Sequence, residues 1–109
     1  MTPLYSTLID RVRYIGVHEV ARPIDILRAA SDLAQHPEAN AKFEEIVALV
    51  DDPNNYFARW AAIRTISVMG PAAILKASPV LRRRLALEDF DLAKRELKNA
   101  LSKIDKAAT

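Results

Sequence analysis

Apolar residues recur at intervals of three and four along most of this chain, and proline, glycine or acidic clusters interrupt the pattern at only a few points. That period is the period of an amphipathic helix. An all-β chain needs turn residues every eight to twelve positions, and they do not occur here. The reading is an all-α fold of about six helices, arranged as three antiparallel helical hairpins over about 3–35, 38–69 and 71–104. Together they form a single helical domain, 1–109, with a frayed tail over 105–109.

Each boundary has a local reason. Thr2 is a candidate N-cap with Pro3 at the first helical position, and Leu4, Leu8, Ile9, Val12 and Ile15 follow as one stripe to a stop at Gly16. Arg22-Pro23 opens the second helix, which carries Ile24, Leu27, Ala30, Leu33 and Ala34. His36-Pro37 closes it, because a residue before proline is pushed out of the α region. The third helix is predicted over Glu38–Val50, with Phe43, Ile46, Val47 and Val50 facing inward. The fourth, from Asn55 to Met69, is apolar almost all round and so is predicted to be central. Gly70-Pro71 stops it. Pro79 either kinks the fifth helix, Pro71–Leu87, or restarts it with Ser78 as N-cap. The sixth is predicted over Asp91–Ile104.

Composition removes several classes of protein. The chain has 109 residues, no cysteine, two glycines and a formal net charge of +2 at pH 7. Without cysteine there are no disulfides, thiolate metal sites or cysteine nucleophiles, and a cytoplasmic location is expected. Two glycines leave no material for a phosphate-cradling loop. The least charged window, Trp60–Ser78, contains Arg64 and Lys76, each costly at a bilayer centre, so no membrane span is expected. The start of the chain reaches Asp10 and Arg11 before any long apolar run, unlike a secretory signal.

A 35-residue shift lays the fourth helix on the sixth. Phe57 meets Leu92, Ala58 meets Ala93, Arg59 meets Lys94, Ala62 meets Leu97, Ile66 meets Leu101 and Met69 meets Ile104. Asp51-Asp52-Pro53 precedes one helix and Glu88-Asp89 the other. The string from Val50 to Ile63, VDDPNNYFARWAAI, resembles a HEAT-like repeat junction: an apolar helix end, Asp-Pro, an apolar residue near an arginine, then small and large core residues. Phe57, Arg59, Ala62 and Ile66 occupy those places, with Ala58 between the apolar residue and the arginine. Gly70-Pro71-Ala72-Ala73 resembles the loop that follows, and Pro79 falls where the first helix of such repeats is often kinked. The likeness covers residues 38–104 and is weak over 3–35. It implies a HEAT-like α-solenoid, with a compact helical bundle as the other arrangement, and it implies no activity. Asp51 or Asp52 is expected to cap the fourth helix or pair with Arg59. Asp10-Arg11-Arg13 and Lys94-Arg95-Glu96-Lys98 are expected to give the end helices polar outer faces.

No catalytic constellation is visible. His18 and His36 show no metal-ligand spacing, and the pairing of His18 with Asp10 or Glu19 reads as ordinary surface chemistry. No serine lies in a Gly-x-Ser-x-Gly elbow. Glu44 and Glu45 diverge by about 100° on a helix, so they form no dyad. Asp51-Asp52-Pro53 is too short for a calcium loop. No cofactor, no metal and no enzymatic activity are expected.

Charge order is more informative than the total. Residues 1–55 carry five Lys/Arg and nine Asp/Glu, a formal −4; residues 56–109 carry eleven and five, a formal +6. No acid occurs from Pro53 to Leu87, a stretch holding Arg59, Arg64, Lys76, Arg82, Arg83 and Arg84. Three readings follow. A protein-interaction module (adaptor, inhibitor or immunity-type protein) would dock an acidic partner surface through Arg64, Lys76, Arg82, Arg83 and Arg84. A nucleic-acid binder would set the same arginines on phosphates, but such proteins carry a larger basic excess and often aromatic platforms. In the third reading the basic half answers the acidic half within the fold or in a second copy, as a homo-oligomer. Consecutive arginines on one helix point in three directions, so Arg82-Arg83-Arg84 are not expected to form one flat patch.

Overall fold

Every predicted stripe forms a helix. The computed structural model describes residues 3–107. In order, these form α1 (Tyr5–Arg13), α2 (Pro23–Gln35), α3 (Phe43–Leu49), α4 (Tyr56–Met69), α5 (Pro71–Leu87) and α6 (Asp91–Ala107), with no strand among the described residues. Pro23 takes the first turn of α2, and Asp25 accepts the backbone N–H of Arg22 at 3.0 Å, the acidic half of a capping box. His36 leaves the helical region with ψ 136° and ends α2 before Pro37. Gly70, at φ +109°, is the whole connection between α4 and α5.

Several boundaries depart from the expectation or narrow it. Thr2, the candidate cap of the first helix, lies outside the described residues, and Leu4 occupies the N-cap position of α1. The third helix begins at Phe43 rather than Glu38. His36 Nδ1 accepts the Glu38 N–H at 3.1 Å, and residues 36–42 form successive turns instead. Pro79 does not restart a helix with Ser78 as N-cap, because α5 runs through it as one helix. Of the tail expected to fray over 105–109, the first three residues belong to α6, which buries Leu97, Leu101 and Ile104, and residues 108–109 lie outside the described residues.

The apolar girth of α4 has its expected result. It contacts α1, α2, α3, α5 and α6, and Trp60, Ala61, Ala62, Ile63 and Ile66 are all buried. The second helices of the hairpins, α2, α4 and α6, pack in sequence with α4 between the others, and α1, α3 and α5 each pack on their own partner. Buried alanines, among them Ala29, Ala30, Ala58, Ala62, Ala93 and Ala100, line these contacts. Ile26, Leu33, Ile46, Ile74, Leu81 and Leu97 fill the space between. Each such large side chain contributes roughly 1.5–3 kcal/mol by leaving water. The molecule measures 41 × 30 × 21 Å.

One residue ties the first hairpin to α4. Asn55 caps α4 by accepting the N–H groups of Phe57 and Ala58 at 3.1 and 3.2 Å. Its amide nitrogen donates to the carbonyls of Arg13 and Ile15 at 3.1 and 2.9 Å, where α1 runs into its loop. Gly16 follows at φ +78°, and a Cβ there would fall 2.5 Å from the Phe57 ring. The loop therefore needs glycine both for its backbone and for room.

Candidate functional site: the outer face of the fifth helix

The acid-free segment contributes two kinds of arginine. Arg59 is buried, with Nε and Nη2 each donating to one oxygen of Glu88 at 2.9 Å and Nη1 donating to the carbonyl of Asp52 at 2.9 Å. Such a bidentate pair is both strong and directional. The expected partners, the carboxylates of Asp51 and Asp52, are not the ones used. Asp52 instead accepts the N–H groups of Asn54 and Asn55 at 2.9 Å, and the helix cap is Asn55. Glu88 also accepts the Phe90 N–H at 3.2 Å and lies 3.5 Å from Arg84 Nε. Burial pushes the Glu88 carboxyl up, but the Arg59 hydrogen bonds, the Phe90 N–H and the two guanidinium charges outweigh it and hold it below its ordinary value. Arg59 correspondingly moves further above its ordinary value, chiefly through its hydrogen bonds to Glu88.

The five residues expected to meet a partner lie on α4 and α5, and all have contacts within the molecule. Arg64 donates to Glu96 at 3.4 Å. Lys76 Nζ sits 5.1 Å from the centre of the Phe43 ring. Arg82 pairs with Asp105 at 2.9 Å, Arg83 pairs with Asp51, and Arg84 reaches toward Asp51 at 3.7 Å and Glu88. The three consecutive arginines thus diverge: Arg82 turns to α6, while Arg83 and Arg84 share Asp51 and Arg84 also approaches Glu88. Arg84 is mostly buried, and Arg64 is only partly exposed. Arg82 and Arg83 remain more than half exposed, and pairs of that kind contribute about 0–1 kcal/mol, so a partner's carboxylates can replace them.

Around these cations α5 presents a surface that charge order alone does not reveal. Ala72, Leu75, Pro79 and Ala86 are exposed at helical spacing and form an apolar crest. Leu75 and Leu87 are 64% and 62% exposed. By the 100° step of the helix, Arg82 lies on the α6 side of this crest and Lys76 and Arg83 lie on the α3 side. On α6, Lys94, Arg95 and Lys98 are exposed and form no ion pair among the described residues. Glu96, expected on that polar face, is buried. It accepts from Trp60 Nε1 at 3.3 Å as well as from Arg64. A repeat register signals this inward turn only weakly, since Arg59 is buried while its counterpart Lys94 is exposed.

The aromatic residues near Arg59 pack on one another, with Trp60 buried and Tyr56 still exposed along one side. Tyr56, Phe57 and Trp60 cluster on Phe90, with ring centres 4.6, 5.8 and 6.1 Å away. A cleft of about 520 Å³ lies at the α1–α2 loop, bounded by Arg11, Tyr14, His18, Val20, Asp25 and Arg28. It mixes two cations, Arg11 and Arg28, with two acids, Glu19 and Asp25. His36 is structural: Nδ1 accepts from Glu38, so Nε2 carries the proton and donates to the Pro3 carbonyl at 3.0 Å. Among the described residues, no helix is long and apolar enough to cross a membrane. No protein-family model matches the chain, and no curated protein and no solved structure shows significant similarity to it.

Proposed function

We propose that this chain is a non-catalytic protein-interaction module, an adaptor, inhibitor or immunity-type protein, that docks an acidic partner surface through the outer face of α5. One observation carries the reading: the solvent side of a 17-residue helix holds two largely exposed leucines, a proline and three exposed cations, Lys76, Arg82 and Arg83, and no acid. Apolar area there supplies affinity, and the flanking cations supply orientation and partner choice. The HEAT-like resemblance of residues 38–104 supports the same reading, since stacked hairpins commonly serve as binding scaffolds. A cytoplasmic location belongs to the proposal on the strength of the cysteine-free composition.

The test is affinity capture from the source cell with wild type and with R82E/R83E, each quantified by mass spectrometry. The captured protein should be lost with the variant at least tenfold. Equal capture by both proteins overturns the site.

A second reading, phosphate binding, is favoured by Lys94, Arg95 and Lys98 on α6, which are exposed and form no ion pair among the described residues. Fluorescence anisotropy with single- and double-stranded oligonucleotides at low salt decides it. Nucleic-acid binding would weaken with salt at a log-log slope of several units and would be abolished in K94A/R95A/K98A.

A further inference from the structure

The helix beside α5 carries the opposite charge in the same arrangement. On α3, Ala48 points to solvent between Glu44 and Glu45, which diverge to either side of it. Ala41, in the preceding turn, is exposed as well, and neither glutamate forms an ion pair among the described residues. On α5 the crest of Leu75, Pro79 and Ala86 is flanked on one side by Arg82 and on the other by Lys76 and Arg83. One surface is thus an apolar line between two acids, and the other is an apolar line between cations. They are neighbours on the same side of the molecule, because Lys76 lies over Phe43 at the start of α3 and Arg83 pairs with Asp51 just past its end.

Two adjacent, mutually complementary patches of this kind suit a two-fold axis. We infer that the acidic surface α5 docks is the α3 surface of a second copy of this chain, in an isologous dimer. A rotation about an axis between the two helices lays α5 of one copy on α3 of the other, and the reverse contact forms by symmetry. Each basic flank then meets a glutamate, and the crest leucine and proline meet Ala48. Like-charged pairings, α3 on α3 or α5 on α5, are disfavoured by repulsion, which fixes the orientation. The area available, one helix roughly 26 Å long and a shorter neighbour, is at the small end of specific interfaces, so association should be weak and dependent on concentration. This inference rests on the reading of α5 as a docking face and names the partner for it.

Sedimentation velocity of the full chain provides the test. Wild type should pass from one chain to two as concentration rises. The dimer should dissociate as NaCl increases from about 0.01 M to about 1 M, over which the screening length falls from about 30 Å to about 3 Å. K76E/R82E gives up the exposed Arg82–Asp105 pair but leaves Arg83–Asp51 in place, and E44K/E45K breaks no ion pair among the described residues. Each variant should be folded by circular dichroism and monomeric. An equimolar mixture of the two should dimerise, because both halves of the mixed interface regain opposite charges. A wild type that stays monomeric at low salt throughout the concentration range overturns the inference. So does a mixture of two folded variants that stays monomeric. If the dimer fails while R82E/R83E still loses a captured protein, α5 docks a different acidic protein and the functional reading stands. If R82E/R83E captures as much as wild type, that reading itself falls.

Discussion

Glu88 receives two hydrogen bonds from Arg59 and one from the Phe90 N–H, and its side chain is fully buried. Removing it strands the Arg59 charge in the interior, so Glu88→Ala should cost about 3–5 kcal/mol in urea denaturation. The pH dependence follows from the direction of its shift. A carboxyl held below its ordinary 4.5 stabilises the fold fully above that value, and the contribution is lost as pH falls through the lower value of the folded state. Urea midpoints at pH 7, 4 and 3 should therefore fall more steeply for wild type than for Glu88→Gln. A structural role for Arg59 was legible from its place beside a turn within an apolar helix. Its partner was not, because Glu88 lies 29 residues away and reads locally as one of three acids in an ordinary surface turn. Glu96 was hidden for a similar reason. Only the position of Trp60 and Arg64 across the α4–α6 contact turns it inward.

At the scale of elements, the stripes at three-and-four spacing identify all six helices, and Pro23, Pro37 and the Gly70-Pro71 step mark ends that the structure shares. Boundaries set by side chains at a distance were harder to read. The late start of α3 depends on where His36 spends its ring nitrogens, which no local pattern reveals. The continuity of α5 through Pro79 depends on burial of Ile74, Ala77 and Leu81 on its inner side, enough to carry the helix past a missing hydrogen bond. Pro79 is exposed and leaves the Leu75 carbonyl without its helical donor. Pro79→Ala should restore that bond and raise stability by about 1–3 kcal/mol, measured by chemical denaturation. The α5 crest follows from the same helical arithmetic, but only once the buried side of the helix is known.

For the whole molecule, the decisive fact is that α4 touches every other helix. No hairpin has a core of its own, so unfolding should be one cooperative event. Far-UV circular dichroism and Trp60 fluorescence, which reports the α4–α6 contact, should give coincident urea transitions. Separated midpoints would mean that the hairpins melt independently. The division of the chain into an acidic and a basic half was legible by counting. How those charges are used was not: Arg83 meets Asp51 across the two halves, while Arg64 and Arg82 find acids on α6. What remains for a partner is a matter of exposure and not of formal charge. Asn55, at the junction of the first hairpin and α4, adds a chemical vulnerability. Asparagine side chains age by losing ammonia, and here both the amide nitrogen and the amide oxygen are in use at once. Deamidation would keep the helix cap but set a negatively charged oxygen against two backbone carbonyls. A single spontaneous event would then take away the two hydrogen bonds by which α4 holds the end of α1, leaving only the apolar contacts of Ile15 and Gly16 there.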